Sequence, residues 1–460
     1  MKVRTPNKNL GVGATTKGHL GADRNGFNLS SLDEIATSTS FVSPLRIIAV
    51  CICAGSLAGC THLSPSRENS AANPHNSVVT GTGYKLAFIE FGEQGSYQDT
   101  TQLTNAVELV EKTDRPLVIT YVHGWQNNAE SDDVKKFSGL LARLNAAPAI
   151  RDAGFNLVGI YLAWRGKFTP VPVLKELSFW NRKVTAERIA SNYDCYDAIA
   201  AISEAARKHG TASQYTVLLG HSFGGLIVER SVAHAINAEI HGHASADRSL
   251  PADLILVVNP AADSILARQM ISALYIRDTE NTRPMFVSVT SSADIATGLA
   301  FPIGTGLAAT TKAFNTVPAP GAAKNLESER AFYTSTPGHN QFLVNHVTEK
   351  LPETIDSHGL PALETNLKHN LVGDVFTLDG PNGMLELWQI KRVGDVDVPY
   401  WDVKVDPSII KNHGDLWNER AEAMMAAIFR MANPTLNPHA KPRAILQKPP
   451  NLKRLQYRQH

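Results

Sequence analysis

From about residue 84, compact apolar runs alternate with stretches of helical periodicity. The runs Tyr84–Phe91, Leu117–Val122, Asn156–Ala163, Tyr215–Leu219, Leu254–Val258 and Met285–Val289 predict strands, several of them buried on both faces. Between them, Asp132–Leu144, Leu226–Ile240 and Ser264–Leu274 predict amphipathic helices. Trp180–His209 predicts a long helix broken near Asn192. Strand alternating with helix predicts an α/β fold, a doubly wound and mostly parallel sheet with helices on both faces. Leu385–Val393 and Trp401–Val405 predict a strand pair turning at Gly394, and Asn418–Met431 a closing helix. The stretch 295–384 is then a long insertion before the last strand, either a lid or a surface excursion. Phe168–Trp180 fits a small cap or a helix packed on the sheet.

Ahead of this body the pattern differs. Ile47–Ala58 is an uncharged apolar run preceded by Arg46. It is too short for a bilayer, which needs about 20 residues, and has the shape of a secretory signal. It ends in Leu57-Ala58-Gly59-Cys60, which resembles the lipobox of bacterial lipoproteins. That resemblance implies cleavage before Cys60, lipidation of its thiol and anchoring in the cell envelope. Thr61 at the next position implies the outer membrane. The segment before Arg46 is long for a signal and rich in Gly, Ser, Thr and Asn. Organisation follows: 1–59 extension and signal, 60–80 polar linker, 81–433 body, 434–460 basic tail.

Charge adds one refinement. Residues 1–59 hold six Lys/Arg against three Asp/Glu, and the tail from His439 holds six Lys/Arg and no acid. The net +1 of the 460-residue chain therefore conceals an acidic body, which argues against nucleic-acid binding through bulk charge. Of four cysteines, Cys51 and Cys53 fall in the signal and Cys60 at the lipobox, leaving Cys195 as an ordinary thiol.

The chemistry centres on Gly220-His221-Ser222-Phe223-Gly224, between the strand ending at Leu219 and the helix that follows. A serine in a sharp strand–helix turn needs small neighbours, here Gly220 and Gly224, and stands at a helix N-terminus that favours developing negative charge. In this context the chain resembles the α/β-hydrolase superfamily, its serine esterase and lipase-like members, over about residues 84–433. Tyr121-Val122-His123-Gly124-Trp125, closing a central strand, matches the family's oxyanion loop. The resemblance implies that the backbone N–H groups of Trp125 and Phe223 stabilise the oxyanion. His123 is expected to brace the loop.

A serine nucleophile needs a histidine base and a carboxylate to orient it, in the chain order serine, acid, histidine. Asp294, after Met285–Val289, is the leading acid, with Asp263 after the preceding strand as the alternative. His339, His346, His358, His369 and His413 follow Asp294. His413 lies in the expected place, before the closing helix; His339 and His346 are the alternatives. Trp125, Trp164 and Phe223 are expected either in an acyl pocket or in plain core. Neither an HExxH pair, a CxxC pair, a P-loop nor a dinucleotide fingerprint occurs, so no metal or cofactor is implied. The expectation is a lipid-anchored serine hydrolase acting on a small ester or lipid, with a non-enzymatic envelope scaffold on the same fold, or an acyltransferase or thioesterase, as the alternatives.

Overall fold

The computed structural model describes residues 64–166, 172–210, 213–240, 250–276, 283–320, 322–368, 371, 373–394 and 398–437. The signal segment, Cys60 and the tail from residue 438 on lie outside the described residues.

The strands are β1 (Val78–Gly81), β2 (Tyr84–Phe91), β3 (Pro116–Val122), β4 (Asn156–Trp164), β5 (Tyr215–His221), β6 (Leu254–Val258), β7 (Phe286–Ser291), β8 (Thr316–Ala319), β9 (Ala322–Ser328), β10 (His346–Asp356), β11 (Val375–Asp379), β12 (Met384–Arg392) and β13 (Tyr400–Val405). The helices are α1 (Thr100–Glu111), α2 (Asp132–Ala146), α3 (Pro148–Asp152), α4 (Pro172–Ser191), α5 (Tyr193–Arg207), α6 (Phe223–Ile240), α7 (Ile265–Ile276), α8 (Phe301–Ala308), α9 (Glu329–Tyr333), α10 (Ala362–Leu367) and α11 (Glu419–Ala432). A π-helical turn, Ala296–Ala300, runs into α8.

One sheet holds eleven strands in the order β1-β2-β4-β3-β5-β6-β7-β13-β10-β12-β11. From β2 to β10 all neighbours are parallel, whereas β1, β12 and β11 join antiparallel. This is a mixed α/β fold around a large, mostly parallel sheet. Strand β3 shows why it forms: every residue is buried, and alternation sends Leu117, Ile119 and Tyr121 into one core and Val118 and Val122 into the other. Helices α2, α3, α10 and α11 cover the first core, and α1, α5, α6 and α7 the second. Each fully buried Leu, Ile or Phe contributes about 1.5–3 kcal/mol to holding these layers together. The chain leaves β3 for β4 on one side, while β5 pairs on the other. The C-terminal ends of β3 and β5 thus form a crevice where side chains gather.

The expected break near Asn192 has a cause. The Asn192 side chain accepts from the Asp194 N–H at 3.0 Å and caps α5, so the predicted long helix is two helices. Two expectations are corrected. Met384–Arg392 and Tyr400–Val405 are strands but not partners: β10 lies between them, parallel to β13 and antiparallel to β12. The 295–384 insertion is therefore neither wholly a lid nor wholly a surface excursion, since β10 and β11 widen the sheet. Strand β10 escapes the sequence pattern because its residues are mostly exposed or half-buried and form no apolar run. From Pro172 the Phe168–Trp180 segment is the start of α4, a helix rather than an irregular cap.

Candidate active site

Ser222 sits between β5 and α6 with φ +56°, a left-handed conformation that costs a non-glycine residue energy and is held by its surroundings. Its N–H donates to Val258 O at 3.1 Å, and its carbonyl accepts from Ala261 N at 3.0 Å and Leu226 N at 3.2 Å. These bonds fix the turn from both sides. The flanking glycines are required by close approach. A Cβ on Gly224 would lie 2.0 Å from Val122 O, and one on Gly220 would lie 2.8 Å from Gly224 O. The first turn of α6 leaves N–H groups without intrahelical acceptors beside the serine, a setting that favours negative charge.

His413 approaches from the loop between β13 and α11. Ser222 Oγ and His413 Nε2 are 2.7 Å apart, and His413 Nδ1 and Asp294 Oδ2 are 2.8 Å apart. With Nδ1–H donating to the carboxylate, Nε2 is the acceptor for the serine hydroxyl. The Asp294 side chain is fully buried, while that of His413 is 28 % exposed and open to a reactant. Asp294 Oδ1 also accepts from the N–H groups of Ala296 at 2.9 Å and Thr297 at 3.2 Å, and Oδ2 from Thr297 Oγ1 at 2.5 Å. Burial opposes ionisation of Asp294, but the bonds from His413 and Thr297 outweigh it and hold the carboxyl below its ordinary range.

The His413 backbone is clamped as well. Its carbonyl accepts from His221 Nε2 at 2.8 Å and Asn259 Nδ2 at 3.0 Å. Asn259, itself at φ +46°, also accepts from Ser291 N–H through Oδ1 at 2.9 Å. One side chain thus joins the ends of β6 and β7 to the histidine loop. Ser291 Oγ donates to Ile410 O at 2.5 Å in the same loop. Burial and the neighbouring His413 push His221 down to about 4, so its ring is neutral at physiological pH.

On the other side stands the loop after β3. Gly124 lies against the serine: a Cβ there would be 2.9 Å from Ser222 Cβ and 3.0 Å from His221 O. His123 is fully buried and braces the loop. Its Nε2 accepts from the Trp164 N–H at 3.0 Å, and its carbonyl accepts from Trp164 Nε1 at 2.9 Å. The two rings stack with centroids 5.6 Å apart. Gln126 N–H is taken by Gly166 O at 3.0 Å, anchoring the next residue. Phe179 links this loop to the elbow, with its ring 5.3 Å from Trp125 and 4.9 Å from Phe223.

The alternatives lie elsewhere. Asp263 pairs with Arg230 at 2.9 Å. His346 is buried on β10, stacked 4.5 Å from Trp401, with Nδ1 on Asn345 Oδ1 at 2.7 Å. His339 packs against Gly298, where a Cβ would meet its ring at 2.7 Å. Asp415 accepts from Lys411 N–H at 2.9 Å. His358 is exposed beside Asp356, and His369 lies outside the described residues. Trp164 belongs to the bracing of His123 and is buried. Cys195 is a buried free thiol pushed up to about 11 by burial, hence unreactive. Sequence reasoning missed His221, Asn259 and Thr297 as partners of the site. For Asn259 a signal existed: Asn259-Pro260 directly follows β6, at the same sheet edge as Ser222. Among the described residues no group of three or more His, Cys, Asp or Glu is arranged to hold a metal ion.

Among solved structures, the chain is similar to phospholipase PlaB from Legionella pneumophila in complex with thio-NAD. The match covers 71% of this chain and 63% of that one, with 12% identity and a TM-score of 0.28. A second structure of phospholipase PlaB matches over 52% of this chain and 47% of that one, with 13% identity and a TM-score of 0.22. The chain thus spans less than two thirds of the length of the solved chains it matches. No family model and no curated protein matches the sequence.

Proposed function

We propose that the chain is a serine hydrolase of the α/β-hydrolase type that cleaves carboxylic esters through an acyl-enzyme on Ser222, and that Cys60 carries a lipid anchoring it in a bacterial cell envelope. The observation that supports this most is the unbroken chain from Ser222 Oγ through His413 to Asp294, mounted on a strained elbow. A buried structural serine would need neither a positive φ nor a partly exposed histidine at Nε2.

In the first step His413 Nε2 takes the Ser222 proton as Oγ bonds to the ester carbonyl carbon, and the carbonyl electrons move onto oxygen. The N–H groups of Trp125 and Phe223 hold that oxyanion, each such donor being worth about 2.7–4 kcal/mol in the transition state. The intermediate collapses, the alcohol leaves with the proton from His413, and the acyl group stays on Ser222. A water then gives its proton to His413 as its oxygen bonds to the acyl carbon, the acyl–Oγ bond breaks with His413 returning the proton to Ser222 Oγ, and the carboxylic acid leaves. Asp294 remains ionised throughout, fixing the tautomer and stabilising the imidazolium. Its lowered pKa suits that role.

A fluorophosphonate probe separates this from a non-enzymatic scaffold on the same fold. Wild type should be labelled and Ser222→Ala should not; equal labelling of the two, or none of wild type, removes the enzyme. For the anchor, mass spectrometry of the envelope-bound protein should find an acylated Cys60 as the N-terminus. An unmodified N-terminus upstream of Cys60 would sink that part.

A further inference from the structure

Directly after Asp294 the chain enters a helical segment, the π turn Ala296–Ala300 continued by α8. Its inward residues recur every fourth position: Thr297, Phe301, Thr305 and Ala309 are all buried. Two positions away, Ile295, Leu299, Ile303 and Leu307 recur at the same spacing and are 70 %, 58 %, 57 % and 70 % exposed. The other residues of this stretch exposed before Thr310 are Ala300 and Ala308. No charged side chain occurs between Asp294 and Lys312. An ordinary surface helix turns polar residues outward; this one is apolar on both faces, and among the described residues its outer face has no partner of the kind an apolar stripe requires.

The patch extends onto α4. Gly304 packs on the Trp180 ring, where a Cβ would lie 1.7 Å away. Trp180 is 41 % exposed and Val184, one turn further along α4, 43 %. A half-exposed tryptophan beside exposed aliphatic side chains is the composition found where protein meets the boundary between water and lipid.

We propose that the outer face of the 295–308 segment, with Trp180 and Val184, docks on the surface of a lipid bilayer and holds the Ser222–His413–Asp294 centre against it. The substrate would then be an ester presented within a lipid assembly, an inference that rests on the hydrolase reading, whereas docking itself does not. Three considerations select a bilayer as the occupant. The segment is too short and too interrupted by glycine and proline to cross one, so it would lie in the interface. The face is uncharged and carries no pattern of donors or acceptors that a protein partner would read. Six side chains also fall short of the roughly 20–30 residues a side that a second copy of the chain would need for a stable interface.

The test uses the full chain carrying Cys60→Ala, so that no acyl tether contributes, and vesicles of phosphatidylcholine and phosphatidylglycerol. The protein should co-sediment with vesicles. Adding Ile303→Asp and Leu307→Asp should weaken partition at least about tenfold, since each buried aliphatic side chain contributes about that factor. Hydrolysis of a soluble short-chain ester should be unchanged, which shows that the variant is folded. Ile303→Ser with Leu307→Ser gives the same comparison with a milder change. Equal vesicle binding by parent and variants overturns the proposal. So does a dimer, seen by light scattering, that the variants dissolve while vesicle binding is absent. If Ser222→Ala and its parent both bind vesicles and neither hydrolyses any ester, docking stands and the hydrolase reading falls.

Discussion

His221 donates from Nε2 to the main-chain carbonyl of His413 at 2.8 Å, across 192 positions of sequence. The residue before the serine thereby sets the height of the loop that carries His413, and Asn259 shares the same carbonyl. Removing the donor leaves the Ser222–His413 contact formally intact but its loop less fixed. His221→Ala should lower kcat about ten- to a hundredfold, the scale of a misplacement of about 1 Å, with KM little changed. His221→Gln, which keeps a donor, should recover part of the loss. Steady-state kinetics on a soluble ester provide the check, and a change confined to KM would speak against the clamp.

Two histidines near Asp294 make opposite predictions. His413→Ala should lower kcat about 10⁴- to 10⁶-fold, since members of such a centre act as one unit. His339→Ala should leave kcat within a few-fold, because His339 touches Gly298 rather than the serine. Comparable losses in both would move the base away from His413.

Gly124→Ala tests the loop opposite the serine. The added carbon would sit 2.9 Å from Ser222 Cβ, and Ser222 is held by main-chain bonds on both sides. The loop after β3 has to retreat, and with the oxyanion donors proposed there kcat should fall about a hundredfold while the melting temperature shifts by only a few degrees. Wild-type kinetics in this variant would place the oxyanion donors elsewhere.

Asp402, fully buried on β13, accepts from Gly338 N–H through Oδ2 at 2.9 Å, and its Oδ1 has no hydrogen-bond partner among the described residues. Burial raises its carboxyl to about 7. In the unfolded chain it ionises near 3.9. Between these values the folded state binds the extra proton, so the group's contribution to stability falls as pH rises towards 7 and the penalty is complete above it. Asp402→Asn, which keeps the acceptor for Gly338, should therefore be more stable than wild type at pH 8, by about 1 kcal/mol or more, with the advantage gone near pH 4. Urea midpoints at the two pH values decide it.

His346 gives the opposite sign. Burial, with Arg392 adding to it, depresses its ring to about 3, against roughly 6.5 when unfolded. The folded ring stays neutral while the unfolded one takes up a proton. Its contribution is full above pH 6.5 and is lost at about 1.4 kcal/mol per pH unit as pH falls towards 3. Relative to wild type, His346→Gln should lose less stability between pH 7 and pH 5 in urea titrations. Parallel pH dependence in the two proteins would show that His346 titrates normally when folded.

Much of this was written in residue order, and the exceptions have physical causes. Strands buried on both faces, such as Leu254–Val258, announce themselves because nothing polar can sit in them. From Ser222, chain order points to Asp294 and His413 but leaves Asp263, His339 and His346 open, and only the contacts 2.7 and 2.8 Å long single out the first two. Strand β10 does not announce itself: it lies near the sheet's end and alternates weakly. The 296–308 helix is equally hidden, because Gly298, Pro302, Gly304 and Gly306 read as loop, and only packing against Trp180 and the buried Thr297, Phe301 and Thr305 makes it helical. The clamp on the His413 carbonyl is half hidden, because its acceptor is a main-chain oxygen and only its donors, His221 and Asn259, are side chains.

The position of β13 has a consequence for how the molecule is completed. It is the last strand of the sheet in sequence, yet it is interior, paired to β7 on one side and β10 on the other. During synthesis, every earlier strand is already made while two parallel edges still wait for this one, and such edges invite mispairing. Its insertion closes both at once and brings the His413 loop over Ser222 within a few residues. An interrupted chain would hold Ser222 without His413, so the same event that seals the sheet also completes the run of contacts from Ser222 through His413 to Asp294.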